Sequence, residues 1–167
     1  MNDIEIKNAT ILDGLGNEPY TGNIYVKDGK IVVITHKETY EASVSLDASG
    51  KIVTPGFIDL HTHSDISFLL DSTAQSKIRQ GVTLELIGNC GLSICAPLIG
   101  DARDMFDNWV SDHTDSYNPD WTDYAGYIEA SKKAKATLNI AFQIGHASLR
   151  LAVMGQDDRS PTADELT

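Results

Sequence analysis

At 167 residues, 41% apolar and 22% charged, the chain has the composition of a soluble globular protein long enough to bury one sizeable core. Its net charge of −11 excludes the basic stripe of a nucleic-acid-binding surface. No run approaches the roughly 18 apolar residues of a membrane span and no basic-then-apolar leader is visible, so no membrane is expected and the cytoplasm is the expected compartment.

The chain opens β-rich. Residues 4–12 read as a strand that Asp13-Gly14 and Leu15-Gly16-Asn17 break. Two β-branched runs in residues 22–34 flank Lys27-Asp28-Gly29-Lys30, and Asp-Gly in that setting predicts a hairpin with a type I′ turn. Residues 43–56 predict a strand, a turn at Ala48-Ser49-Gly50 and a second strand. His36 sits at a polar hairpin end and reads as a solvated histidine. Residues 1–55 carry no recognisable chemistry and are expected to form a small β-rich subdomain.

The texture then changes. Residues 56–63 are strand-like, and 66–80 carry helically spaced apolar positions with Gly81 as the terminating residue. Residues 81–91 and 136–146 are two further apolar runs of the kind found in parallel strands covered on both faces. Between them, 101–110 and 120–135 read as helices, joined by a polar loop that contains a solvated His113. The alternation predicts an α/β fold with a parallel sheet over 56–167. Near the end, Ser160 before Pro161, or Thr162 with Glu165, each signals a helix start. A helix that starts and stops at Thr167, after three strands where a barrel needs about eight, reads as a truncated fragment.

The chemistry gathers at the strand ends. In a strand over 56–63, Phe57, Asp59, His61 and His63 share one face, with Ile58 and Leu60 on the face that helices cover. The rise per residue sets His61 and His63 roughly 6–7 Å apart, close enough to converge on one metal ion. Asp59 and Asp65 are placed to orient those histidines or to line the site. Cys90, in Gly88-Asn89-Cys90-Gly91, ends the second strand; a thiolate ligand for zinc and a buried, inert cysteine are both open readings. Cys95 reads as structural, and with no secretory signal a Cys90–Cys95 disulfide is not expected. His146, ending the third strand, reads as a ligand, a substrate contact or an ordinary loop histidine. Arg150 can grip a substrate carboxylate or form a structural ion pair.

The stretch Pro55-Gly56-Phe57-Ile58-Asp59-Leu60-His61-Thr62-His63-Ser64-Asp65 resembles the first barrel strand of the amidohydrolase superfamily. Residues 81–91 and Gly145-His146 with Leu149-Arg150 narrow the likeness to the N-acyl-D-amino-acid deacylase (D-aminoacylase) branch. This resemblance implies a β-rich subdomain at 1–55, part of a β-sandwich, followed at 56–167 by the first βα units of a (β/α)8 TIM-type barrel. It implies zinc-dependent hydrolysis of N-acyl-D-amino acids by a metal-activated water. Cys90 would be a metal ligand where other amidohydrolases use a modified lysine, and His61 and His63 would serve a second or weaker position. The ligand set for one or two zinc ions is then incomplete, and the acid/base residue is expected beyond Thr167. The piece alone is expected to be inactive, and an oligomer burying the open edge is a candidate partner. The competing readings are a cyclic amidohydrolase of the hydantoinase or dihydroorotase kind, disfavoured by Cys90 in place of a lysine, and a non-catalytic α/β module.

Overall fold

The computed structural model describes residues 1–95, 97–111 and 119–166. His113 and Thr167 lie outside the described residues. The chain forms two compact units, Met1–Pro55 and Gly56–Thr167.

The first unit is a sheet of five strands: β1 (Asn2–Ile11), β2 (Tyr20–Lys27), β3 (Lys30–Thr35), β4 (Ala42–Asp47) and β5 (Ile52–Val53). The order is β3-β2-β1-β4, with β5 also on β1. The β2–β3 hairpin turns at Asp28 and Gly29, whose φ angles of 50° and 70° are the two positive values a type I′ turn requires. Register shifts within β1 between Ile6 and Ala9, where Asn8 takes φ 60° and ties its side chain to Asp47. Ala9, Ile11, Ile24 and Ala48 form the buried core of this unit. Ile31, Val44 and Leu46 are exposed.

The second unit contains three parallel strands, β6 (Phe57–Asp59), β7 (Val82–Ile87) and β8 (Asn139–Phe142), in the order β6-β7-β8. The expected helix over 66–80 is instead two single turns, α1 (Ser67–Leu70) and α2 (Gln75–Ile78). Asp71 is the cause: its carboxylate accepts from the amide and hydroxyl of Thr73, a local turn that competes with helix. Gly81 then ends the crossover at φ 83°, its amide bonded to the Ile78 carbonyl.

α3 (Gly100–Ser111) and α4 (Tyr124–Ala134) fill the second crossover. α4 starts at Tyr124, later than 120, because Asp123 caps it by accepting from the Gly126 amide at 2.8 Å. Phe106 and Val110 of α3, Tyr127 of α4 and Trp121, just ahead of α4, are buried against Ile66, Phe68 and Ile87. The third strand, expected over 136–146, is shorter, β8 covering Asn139–Phe142; residues 143–145 are irregular and His146 opens a helix, α5 (His146–Met154). At the end, Thr162 and Glu165 exchange backbone and side-chain bonds, so the second of the two proposed caps starts the final turn, Asp164–Leu166.

β6 is shorter than the predicted 56–63 strand. Its register against β7 shifts between Phe57 and Ile58, and pairing stops at Asp59. Ile58 and Leu60, expected under helices, are exposed, since no described helix covers that face.

Candidate metal centre

His61 and His63 lie just past the end of β6, on chain released from the ladder. Cys90 lies past the end of β7, on a loop that doubles back sharply. Gly88, Cys90 and Gly91 take φ 81°, 56° and 76°. A Cβ at Gly88 would collide with the Gln143 carbonyl, so the loop passes β8 as closely as it does only with glycine there. Cys90 pays a left-handed backbone penalty that L-residues normally avoid, a strain typical of residues whose side chain must be aimed.

These two chain ends meet. His61 Nε2 lies 3.1 Å from Cys90 Sγ, and the donor atoms of His61, His63 and Cys90 all fall within 4.8 Å of one another. The imidazole rings stand 5.7 Å apart, inclined at 62°. All three side chains are open to solvent. Zinc bonds of about 2.0–2.3 Å bring ligand atoms within roughly 4 Å of each other, so two imidazoles and one thiol at this spread fit a zinc ion after small side-chain adjustments. A three-residue set leaves room for further ligands or water, as catalytic zinc sites do.

A polar network beneath the triad holds it in place. Asp59 Oδ1 accepts from the His61 amide at 3.2 Å, while Oδ2 meets Lys77 Nζ at 2.6 Å. Lys77 also reaches Thr62 Oγ1 at 3.0 Å and the buried Glu85 carboxylate at 2.9 Å. The Lys77 bond, and then the His61 amide, hold the Asp59 carboxyl below its ordinary value. Burial works against the charge on Lys77, but bonds to Asp59 and Glu85 more than offset it and raise its pKa. Asn89 Nδ2 donates to Leu86 O at 2.7 Å and Thr62 O at 3.2 Å, tying the cysteine loop to the histidine segment. Behind it, Ser148 Oγ accepts from the Ser93 amide and donates to its carbonyl, both at 2.8 Å.

The other anticipated residues go elsewhere. Asp65 is buried beside His63. Burial pushes its carboxyl up, against the pull of the Gly88 and Ile94 amides and of His63. His146 opens α5 and is exposed, outside the triad. Arg150 does not face the triad's donors; its guanidinium holds the Asp157 and Arg159 carbonyls at 2.6 and 3.0 Å. Cys95 is buried, its thiol 3.1 Å from the Gln143 carbonyl. Lys77, Glu85, Asn89, Ser93 and Ser148 were not singled out in the sequence. Glu85 alone carried a signal, as a carboxylate inside a run expected to be buried on both faces, which calls for a partner.

Residues 45–166 match the family model described as "Amidohydrolase family". An N-acyl-D-glutamate deacylase of Alcaligenes xylosoxydans xylosoxydans is 34% identical over 164 residues, covering 98% of this chain and 32% of that relative. The solved structure of N-acyl-D-glutamate deacylase from Bordetella bronchiseptica, complexed with zinc and a phosphonate inhibitor, matches with a TM-score of 0.80 and 35% identity over 98% of this chain and 34% of that one. A crystal structure of D-aminoacylase matches with a TM-score of 0.86 and 33% identity, over 99% of this chain and 34% of the other. The chain therefore spans about a third of the length of these relatives.

Proposed function

The chain belongs to the amidohydrolase family, and from that premise we propose that it supplies the opening part of a zinc-dependent enzyme that hydrolyses the amide of N-acyl-D-amino acids. The observation that carries this reading is the convergence of His61, His63 and Cys90 from two strand ends onto one point. The similarity to N-acyl-D-glutamate deacylases and to a D-aminoacylase supports the substrate class.

In this reading His61, His63 and Cys90 hold one or two zinc ions together with ligands from outside the chain. Bound there, zinc supplies Lewis-acid activation of water and of the amide carbonyl. The chain's own residues set the geometry. Asp59 fixes the His61 backbone, Asn89 keeps the Cys90 loop against Thr62, and the Ser93–Ser148 clasp anchors that loop behind. Lys77 is engaged by Asp59 and Glu85 and lends no support to a metal-bridging lysine of the cyclic-amide kind. The general base belongs, in this proposal, outside residues 1–167. Residues 56–167 are read as the first part of the barrel and 1–55 as part of a β-sandwich; the exposed apolar side chains Ile31, Val44 and Leu46 suit a sheet that packs on another.

The test uses the full-length, zinc-loaded protein and a panel of N-acetyl-D- and N-acetyl-L-amino acids, with release of the free amine as readout. D-selective hydrolysis that disappears with Cys90→Ala supports the reading. Full activity after the metal has been stripped and its absence verified would refute it.

A further inference from the structure

Beside the triad lies a cavity of about 300 Å3 with a mainly apolar lining, to which Ser93 and Ser148 add polar groups. His63 and Asp65 line it, as do Ala102, Met105, Phe106 and Trp109 of α3. His63 is thus both a member of the triad and a wall of this cavity. We propose that the cavity receives the aliphatic acyl chain of the substrate, which makes α3 the acyl-length selector of the enzyme. This inference rests on the hydrolase reading above, which leaves open how the two arms of the substrate are arranged.

Charge decides between those arms. An N-acyl amino acid cut at its amide has a neutral hydrocarbon arm on the carbonyl carbon and an arm bearing a carboxylate on the nitrogen. No lysine or arginine is among the described residues lining the cavity, whereas Asp65 is. A carboxylate placed among Leu98, Ala102, Met105 and Phe106 would be desolvated with no lysine or arginine of the lining to pair it. An apolar side chain on the amine arm would hold the α-carboxylate, borne on the same carbon, at the entrance of the cavity, again with no lysine or arginine of the lining to pair it. The acyl chain carries no such cost and gains from leaving water. At the ~30 Å3 share of a water molecule, the cavity is roughly ten waters in size, which suits a medium-length chain better than acetyl alone.

The test is a chain-length series, N-acetyl to N-octanoyl, on the D-amino acid that the full-length zinc-loaded protein turns over best. Each methylene up to about hexanoyl is expected to raise kcat/KM about fourfold, the worth of one buried CH2. Ala102→Phe, which fills the cavity, is expected to lower the hexanoyl-to-acetyl ratio by about tenfold or more. Met105→Asp, at an exposed position of α3, does the same if Ala102→Phe does not fold. Binding of hexanoate and acetate, the product acids, is measured calorimetrically in parallel. Hexanoate binding more tightly than acetate, with the difference lost in Met105→Asp, supports the cavity even if no N-acyl compound is hydrolysed, an outcome that removes only the hydrolase reading. Turnover with no dependence on chain length, together with equal binding of the two acids, overturns the acyl cavity and leaves the hydrolase standing.

Discussion

Lys77 Nζ lies 2.9 Å from the carboxylate of Glu85, an almost wholly buried side chain of β7, and 2.6 Å from Asp59 at the end of β6. One ammonium thus joins two neighbouring strands directly below the histidines. Among the described residues, Glu85 would otherwise be a carboxylate inside the core with a single long 3.3 Å bond, from Ser64 Oγ.

Removing the ammonium should therefore cost more than a surface ion pair does. Lys77→Met keeps the stem and deletes the charge, leaving Glu85 buried and unpaired. A loss of about 3 kcal/mol is expected, the scale of breaking a buried pair from one side. Replacing both residues, Lys77→Met with Glu85→Gln, should recover part of it. Urea unfolding of the full-length single and double variants measures both, and equal stability of Lys77→Met and wild type would contradict this account.

The sequence made some of this legible. Asp28-Gly29 announced its turn because only a few residues accept two successive positive φ angles. The parallel strands β7 and β8 showed as apolar runs, and the hydrogen-bonding pair Thr162 and Glu165 showed by its spacing. The convergence of His61 and Cys90, 29 residues apart, followed from placing both at strand ends. Less legible were features set by one local bond or by long-range packing. A single Asx turn at Asp71 splits a helix that periodicity made continuous. α5 was hidden because Gly145 precedes it without a side-chain cap to announce a helix start. The supporting polar groups are ordinary residues in sequence, and only the fold brings Lys77 to Glu85 or Asn89 to Thr62.

Asn89 should act on metal affinity without being a ligand. Its Nδ2 donates to both Leu86 O and Thr62 O, so Asn89→Asp keeps the shape and replaces a two-hydrogen donor with a charge facing two carbonyls. Zinc affinity of the full-length protein is expected to fall about 10–100-fold, as for other groups that orient ligands. Chelator competition measures it directly. Unchanged affinity would mean that the cysteine loop holds its position without this tie.

Gly88→Ala should damage the same loop by a different route. The added Cβ meets the Gln143 carbonyl, and the residue would sit at φ 81°. Either the loop shifts, carrying Cys90 away from His61, or the end of β8 gives way. The expected result is a loss of stability of about 2 kcal/mol or more and a drop in bound zinc. Gly16→Ala is the control: it also has a positive φ, yet a Cβ there meets nothing. It should cost less and leave zinc content unchanged, as elemental analysis of the purified proteins would record.

In the first unit, stability should depend on pH through Glu5 and Tyr25. Tyr25 Oη donates to Glu5 Oε1 at 2.6 Å, Ser45 Oγ donates to Oε2 at 2.7 Å, and the Tyr40 amide donates to Tyr25 Oη. The Tyr25 bond, and then that from Ser45, hold the Glu5 carboxyl below its ordinary 4.5. The bond to Glu5, with burial behind it, raises the Tyr25 phenol above its ordinary 10.0. For the carboxyl, a depressed folded value means stabilisation present above pH 4.5 and lost as pH falls through the folded pKa. For the phenol, a raised folded value means stabilisation present below pH 10.0 and lost as pH rises through the folded pKa. Glu5→Gln should thus weaken hydrogen-exchange protection of β1, β2 and β4 amides relative to wild type at pH 6–9, with the difference closing in acid below the folded pKa of Glu5. Tyr25→Phe, which strips the hydroxyl from a wholly buried ring, should cost roughly 1 kcal/mol across that plateau. A Glu5→Gln difference that stays constant down to strongly acidic pH would show that the charge on Glu5 contributes nothing to the sheet.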